Sequence, residues 1–426
     1  MSNDKLKIAL VASKFPLVTQ TATIKDIYEL ERMGHDVRIF AMEAQPWPDE
    51  IDPKALQFRD KYMDLGPKEL LRNGPASLIK QVSPSMMATV ARFLALATKS
   101  SDPGFRLRHY FCVAAGVHLA ELAEAQGIDY FHANFGAAQA FIAWVASELS
   151  GIPYGFTTHA YDIYTEGHNN FMHDKIEHAS LVTTISEFNR RHMASEFDVS
   201  ADKIEVHYCG IDPESFPPRG AKLDDNGKPL ILAIGSLTAQ KGHENLIKAL
   251  GMLKRSGVDN FETVIVGKGI PGKNSLQGPL EQLIKSEGLD DHVSMVGHVS
   301  QDELIRLLHT ASVSVLACRQ DAATNAVDGI PATLMEGMAV GVPTISTTVS
   351  GVPELIEDGV SGLLADPEDP ATMADAIGRV INDQALQEKL SAGGYQRVLE
   401  RFDITRNSQA LAHRITDVVA GQSATH

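Results

Sequence analysis

The chain has 426 residues, 44% of them hydrophobic and 22% charged, with a formal net charge of -16. That length is too great for one compact core, so two domains are expected. The acidic balance excludes nucleic-acid binding through a general surplus of Lys and Arg, and the scattered Cys112, Cys209 and Cys318 call for neither a disulfide framework nor a zinc site. A reducing compartment fits. The opening MSNDKLKIALVAS has no long apolar core behind a basic head, and no run of about eighteen apolar residues follows anywhere, so a cytoplasmic protein, soluble or peripheral on a membrane, is expected.

In chain order, KIALVAS, the helical stretch IKDIYELERMG and then HDVRIFAM read as strand, helix and strand, the start of a parallel α/β sheet. Residues 68–108 depart from the acidic average. Lys68, Arg72, Lys80, Arg92, Lys99, Arg106 and Arg108 stand against Glu69 and Asp102, with Leu78, Ile79, Met86, Met87, Val90, Phe93 and Leu94 between them. Such a segment can lie on an anionic membrane surface, or pack between domains with its Lys and Arg solvated; both readings stay open. DYFHAN, GFTTHA, SLVTTIS and IEVHYCG continue the first sheet.

Periodicity is lost near KLDDNGK, and PLILAIGS opens a second sheet that ETVIVG, VSMVG, VSVLA, PTISTT and GLLAD extend between helical patterns. Residues 369–419 read as consecutive helices. The expected division is 1–217, a linker at 218–228, 229–405, and a last helix at 406–426. The fold class is α/β, two Rossmann-like doubly wound parallel sheets, with ligands expected beyond the carboxyl ends of the strands in a cleft between the domains.

Three places carry chemistry. In LILAIGSLTAQKGHENLIKAL a strand ends at Gly235 and a helix starts near His243, so the Lys241 ammonium could neutralise a diphosphate or remain a solvated surface charge. In DGIPATLMEGMAVG, Gly329 and Pro331 make a turn, with Asp328 at the mouth of a short helix and Glu336 about one turn inside it. A carboxylate fixed on a helix can accept both vicinal hydroxyls of a ribose, and one in the loop can accept sugar hydroxyls; the alternative is two solvated carboxylates. His159 stands where a strand meets a loop, near Tyr161 and Asp162, as a satisfied structural histidine or a donor to a sugar hydroxyl. The run VIVGKGIPGKN imitates both a G-x-G-x-x-G turn and a P-loop. Asn274 stands where a P-loop needs Ser or Thr, Gly278 and Pro279 would break the following helix, and the sheet has already begun. No His and carboxylate cluster has metal spacing, and no G-x-S-x-G elbow occurs.

The run from Asp328 to Glu354 resembles the donor signature of the family 4 retaining glycosyltransferases, in which two acidic residues with seven between them precede an A-x-G-x-P-V-I-like strand and a G-x-P-E turn. His159, Ala160, Asp162 and Ile163 match the family's H-A-x-D-I. SKFPLVTQTATI and HANFGAAQA are similar to two stretches of its exopolysaccharide members, S-x-F-P-x-x-S-E-T-F-I and H-x-H-F-G, with Gln20 replacing Glu and Asn134 replacing the second His. Two further departures matter: Asp328 stands where the family usually has Glu, and Ser236 where its G-R-L-x-x-x-K-G has the Arg that, with the Lys, contacts the donor diphosphate. A hydroxyl supplies no charge, so Lys268 or Arg319 is expected to compensate.

The resemblance implies a two-Rossmann B-type fold whose last helix returns to the N-terminal domain. It implies a retaining, metal-independent hexosyltransferase that uses a UDP- or GDP-sugar as donor substrate, no further cofactor, and a glycan or polyprenyl-linked acceptor. It places His159, Lys241 and Asp328 in catalysis, and Ser236, Lys241, Gly267, Gly269, Gly329, Ile330, Pro331, Glu336, Gly351 and Val352 around the donor. Gly267 and Gly269 would let backbone approach the nucleotide, backbone amides near Gly351 and Val352 would bind phosphate or sugar, and Arg190 or Arg191 would face an acidic acceptor. Two other functions remain open: a nucleotide-sugar epimerase of the same fold, and a noncatalytic nucleotide- or glycan-binding homologue.

Overall fold

A computed structural model describes residues 5–17, 21–47, 53–70, 72, 84–100, 102–220, 227–269, 276–322 and 327–423. Gln20, residues 73–83 of the basic segment, 221–226 of the expected linker and the 272–274 part of the P-loop-like run lie outside them. The chain forms two compact units: Met1–Tyr208 with Ile404–His426, and Cys209–Asp403.

The first unit holds β1 (Lys7–Phe15), β2 (Asp36–Ala44), β3 (Tyr62–Asp64), β4 (Tyr130–Asn134), β5 (Tyr154–Thr158), β6 (Leu181–Thr184) and β7 (Ile204–Val206), all parallel in the order β3-β2-β1-β4-β5-β6-β7. Successive side chains of a strand point to opposite faces. Ile8, Leu10 and Ala12 of β1 therefore join one buried cluster with Ile27, Ile39 and Tyr130, while Ala9 and Val11 join another with Phe93, Phe131, Phe141 and Phe156. Covering both faces makes the central strands near-continuous buried runs, as in β1, β4, β5 and β6, which helps make them legible in sequence. The edge strand β3, YMD, has no such run and was not expected.

The basic segment splits in two. Helix α1 (Pro84–Ala97) buries only Phe93 and Ala97, whereas α2 (Pro103–Gln126) buries His109, Cys112, Val113 and most of its later residues. Asp102 starts α2 by accepting from the Gly104 and Phe105 amides at 2.7 and 3.2 Å, and Gly127 at φ 66° ends it. No helix among the described residues is long and apolar enough to cross a membrane.

The second unit holds β8 (Leu230–Ile234), β9 (Glu262–Val266), β10 (Val293–Gly297), β11 (Val313–Val315), β12 (Thr344–Thr347) and β13 (Leu363–Ala365), parallel in the order β10-β9-β8-β11-β12-β13. Its boundary lies at 208/209, ahead of the 218–228 stretch read as a linker. The Ile211 N–H donates to the Phe402 carbonyl at 2.9 Å, the Arg219 N–H to Val340 at 2.9 Å, and the Arg219 guanidinium to Ala311 at 2.6 Å, so these residues side with the second sheet. The last helix, Ile404–Ser423, belongs to the first unit. Its Leu411, Ala412 and Ile415 join the cluster containing Ile27, Ser408 donates to Asp26, and Asn407 donates to the Tyr208 carbonyl at 3.0 Å.

Candidate active site

In the second unit the strand order reverses between β8 and β11, where doubly wound sheets bind ligands beyond the strand ends. The loop after β8 runs Gly235 to Gly242 and enters helix α3 (His243–Arg255). Gly242 takes φ +65°, and a Cβ there would fall 1.6 Å from the Ala317 carbonyl oxygen; only glycine allows this turn to lie so close to the end of β11. Lys241 Nζ lies 2.9 Å from Asp328 Oδ2, both side chains largely shielded. Burial alone would lower the Lys241 pKa, but the charges of Asp328 and Glu336 and the Asp328 contact outweigh it, so the ammonium is held above its ordinary value. Asp328 lies just before the Gly329–Ile330 bend, and Glu336 sits half-buried in helix α4 (Ala332–Val340), which starts at Pro331. Lys241, Asp328 and Glu336, far apart in sequence, thus share one electrostatic site. The Cys318 thiol beside them is pushed up to about 12, chiefly by burial, and stays protonated.

Arg319 Nε, Thr333 Oγ1, Ser350 Oγ and His243 Nδ1, on the segments that follow β8, β11 and β12, are shielded polar atoms without hydrogen-bond partners among the described residues. Native interiors rarely leave such groups unmet, and several on the segments that follow three neighbouring strands suit a surface that takes a polar ligand. Ser350 also takes φ +51°, a left-handed conformation. Neither Thr333 nor Ser350 was singled out in sequence, because one hydroxyl in a turn carries no pattern.

Two residues expected around the donor already make close contacts within the chain. Gly267 takes φ +154°, and its Cβ would fall 1.9 Å from the Gly235 carbonyl oxygen, so the close approach it permits is to the protein's own chain; its N–H already donates to Gly297 at 2.8 Å. The Val352 N–H donates to the Val349 carbonyl at 3.1 Å and its side chain is fully buried, so that amide is not open to a phosphate. Gly351 is buried beside it at φ -82°, an ordinary conformation. Gly269 lies at the edge of the described residues, Ser236 Oγ is 3.3 Å from Thr238 Oγ1, and the half-buried Ile330 completes the bend ahead of Pro331. An open groove of about 870 Å³ lined by Arg219, Val340, Gln387 and Tyr395 contains no predicted site residue.

In the first unit the candidate residues meet beyond β4 and β5. Asp162 is fully buried; its carboxylate accepts from the Gly136 N–H at 2.6 Å and the His159 N–H at 3.0 Å. The His159 Nε2–H donates to Asn134 Oδ1 at 3.1 Å, the Asn189 amide donates to the His159 carbonyl, and the Phe135 ring lies 4.5 Å away. Burial holds the imidazole below its ordinary pKa against the opposing pull of Asp162 and Asp26, so it is neutral. Beneath the loop, Lys175 is buried and donates to the Gly136 carbonyl; burial lowers its pKa to about 7. Sequence reasoning missed Lys175 and noted Asn134 only as a departure. Arg190 pairs with Glu187 at 2.7 Å, and Arg191 is exposed. Among the described residues no group of His, Cys, Asp and Glu is arranged to hold a metal ion.

The family described as Glycosyl transferases group 1 matches residues 218–397, and Glycosyltransferase Family 4 matches residues 27–215. The amylovoran biosynthesis glycosyltransferase AmsK of Erwinia amylovora is 30% identical over 394 residues, 89% of this chain and 92% of its own. The chain belongs to the family 4 glycosyltransferases. Another relative of this glycosyltransferase, WcaL of Escherichia coli K12, assigned to colanic acid biosynthesis, is 28% identical over 87% of this chain and 90% of its own. Among solved structures, a glycosyltransferase of Rickettsia africae ESF-5 matches with a TM-score of 0.73 at 18% identity, covering 98% of this chain and 99% of that one. HepE of Anabaena, in complex with UDP, matches at 0.70 and 16% identity, covering 97% and 100%. These likenesses show the fold, the two-domain B type of glycosyltransferases.

Proposed function

We propose that this glycosyltransferase moves a hexosyl unit from a UDP- or GDP-sugar to a hydroxyl of a polyprenyl-linked or other glycan intermediate, with retention at the anomeric carbon and without a divalent metal. The observation that carries the reading is the shielded Lys241–Asp328 pair at 2.9 Å, with Glu336 adding its charge, at the strand-order reversal of the second sheet. The bond from the anomeric carbon to the diphosphate oxygen breaks as the acceptor oxygen bonds to that carbon on the same face. The acceptor proton passes to the leaving diphosphate, so no enzyme nucleophile is needed. Lys241 meets the charge that grows on the diphosphate, where fixed cations contribute most. Asp328 holds Lys241 in place before the donor arrives and then accepts from a donor-sugar hydroxyl; Glu336 accepts from the ribose. Neutral His159, its Nε2 held on Asn134, contacts a hydroxyl of the reacting sugar.

The partner surface is the outer side of helices α1 and α2. Met87 is 60% exposed and Leu107 73%, with Leu94 and Tyr110 also outside and exposed Lys99 and Arg106 among them, on a chain of net charge -16. Apolar side chains framed by cations in an acidic protein suit the anionic cytoplasmic face of a membrane, where a polyprenyl-linked acceptor resides. Binding to vesicles that contain phosphatidylglycerol, absent with neutral phosphatidylcholine and reduced by Leu107→Asp, tests this.

Calorimetric titration with UDP, GDP, ADP and their sugar conjugates, followed by assay of free nucleotide, tests the reaction. Selective binding with slow donor hydrolysis is expected, and Glu336→Ala should weaken donor binding and turnover with the fold intact. Binding without turnover in the presence of acceptor would favour a noncatalytic homologue, and interconversion of donor sugars without acceptor an epimerase.

A further inference from the structure

Two loops leave the second sheet side by side at its order reversal, one after β8 carrying Lys241 and one after β11 carrying Arg319. They are joined at close range. The Arg319 N–H donates to the Gln240 carbonyl at 3.1 Å, and the Gly242 turn lies against Ala317. Arg319 is half-buried, its Nε is shielded from solvent, and this nitrogen has no hydrogen-bond partner among the described residues. A guanidinium cannot shed its charge, so an unmet, shielded donor is unfavourable until an anion meets it. Lys241 has such an anion in Asp328; Arg319 forms no ion pair among the described residues. The other candidate cation, Lys268, is exposed on the loop after β9, one strand away from the reversal.

We propose that Arg319 is the second cation of the donor site and grips the donor diphosphate through its planar guanidinium, a contact that Ser236 cannot make. The assignment rests on the donor reading above. Lys241 then neutralises one part of the diphosphate as a point charge while Arg319 orients it by paired N–H donors, the division of labour expected between an ammonium and a guanidinium.

The test is titration of wild type, Arg319→Ala and Arg319→Lys with UDP and GDP, with the matching nucleosides uridine and guanosine, and with inorganic pyrophosphate. Arg319→Ala should lose roughly ten- to a hundredfold in diphosphate affinity, the range of a lost charge-assisted contact, while nucleoside binding and thermal stability hold. Arg319→Lys keeps the charge and the stem, so it serves if the alanine variant folds poorly, and should recover only part of the loss. Introducing Ser236→Arg into the Arg319→Ala background should restore diphosphate affinity and leave nucleoside affinity unchanged. Diphosphate affinity that survives Arg319→Ala, or falls in step with nucleoside affinity, overturns the assignment and leaves the transferase reading standing. A wild-type chain that binds no nucleoside diphosphate overturns both.

Discussion

Each unit holds a shielded lysine just beyond its sheet, and the two are pushed in opposite directions. Lys175, in the first unit, is buried with the Gly136 carbonyl as its acceptor, and its pKa falls to about 7. Lys241, in the second, is also desolvated, yet Asp328 at 2.9 Å holds it above its ordinary value. Burial alone disfavours an ammonium, and a neighbouring carboxylate reverses the sign. The first arrangement fastens a loop, with Lys175 and Asp162 both anchored on the backbone around Gly136. The second keeps a cation charged and in place, which is what the proposed departure of an anionic diphosphate would use.

The strongest way to break the contrast is to remove the second lysine. Lys241→Ala should lower turnover by about 10²- to 10³-fold, the scale of removing one preorganised donor to a developing charge. Asp328→Asn is expected to do less to the fold and more to the pH profile. With the carboxylate gone, the largest influence opposing the desolvation of Lys241 is lost, so the alkaline limb of turnover moves to lower pH. An unchanged alkaline limb in Asp328→Asn would mean that the pair does not govern the Lys241 charge.

The first lysine should reveal itself in stability instead. Its folded pKa of about 7 lies below the ordinary 10.5, so between these values the unfolded chain binds more protons, and the contribution of Lys175 to stability rises with pH across that window. Lys241 has the opposite sign: its contribution is complete below 10.5 and lost as pH climbs through the raised value. Lys175→Met, which keeps the length of the side chain and removes the titration, should flatten the rise seen by urea unfolding between about pH 7 and 10 while nucleotide binding persists. A rise as steep as in wild type would show that Lys175 is not the source.

Much of this was legible in the sequence, for reasons that differ by residue. Central strands covered on both faces announce themselves as apolar runs, and the edge strands β7, β10 and β13 keep enough apolar residues to be read, whereas the edge strand β3 has only Tyr62, Met63 and Asp64. Lys241, Asp328 and Glu336 could be picked out from their turns and spacing. Their mutual geometry could not, because strand order, not chain order, brings β8 and β11 together. Gly267 was read as a place where backbone could near the nucleotide; its close approach to the Gly235 carbonyl across the strand pair carries no signal in the sequence. Lys175 left no trace, since a single lysine in MHDKIEH looks like any helix-surface charge until Gly136 is seen above it.

The smallest expected effect concerns a third kind of cation. Arg190 pairs with Glu187 at 2.7 Å within one turn of the helix Glu187–Glu196, with 33% and 40% of the two side chains exposed. Water screens such a pair and the neighbouring turn already holds both partners near each other, so its worth is about 0.3–0.5 kcal/mol at most. Arg190→Ala should therefore leave the thermal midpoint within about a degree or two of wild type. Lys175 is buried and Lys241 is assigned to the donor in the proposal above, whereas an exposed arginine such as this can change acceptor handling without changing stability. A raised KM for an acidic acceptor at unchanged kcat and unchanged thermal midpoint would give Arg190 that role; acceptor kinetics identical to wild type would reduce it to a helix-surface pair.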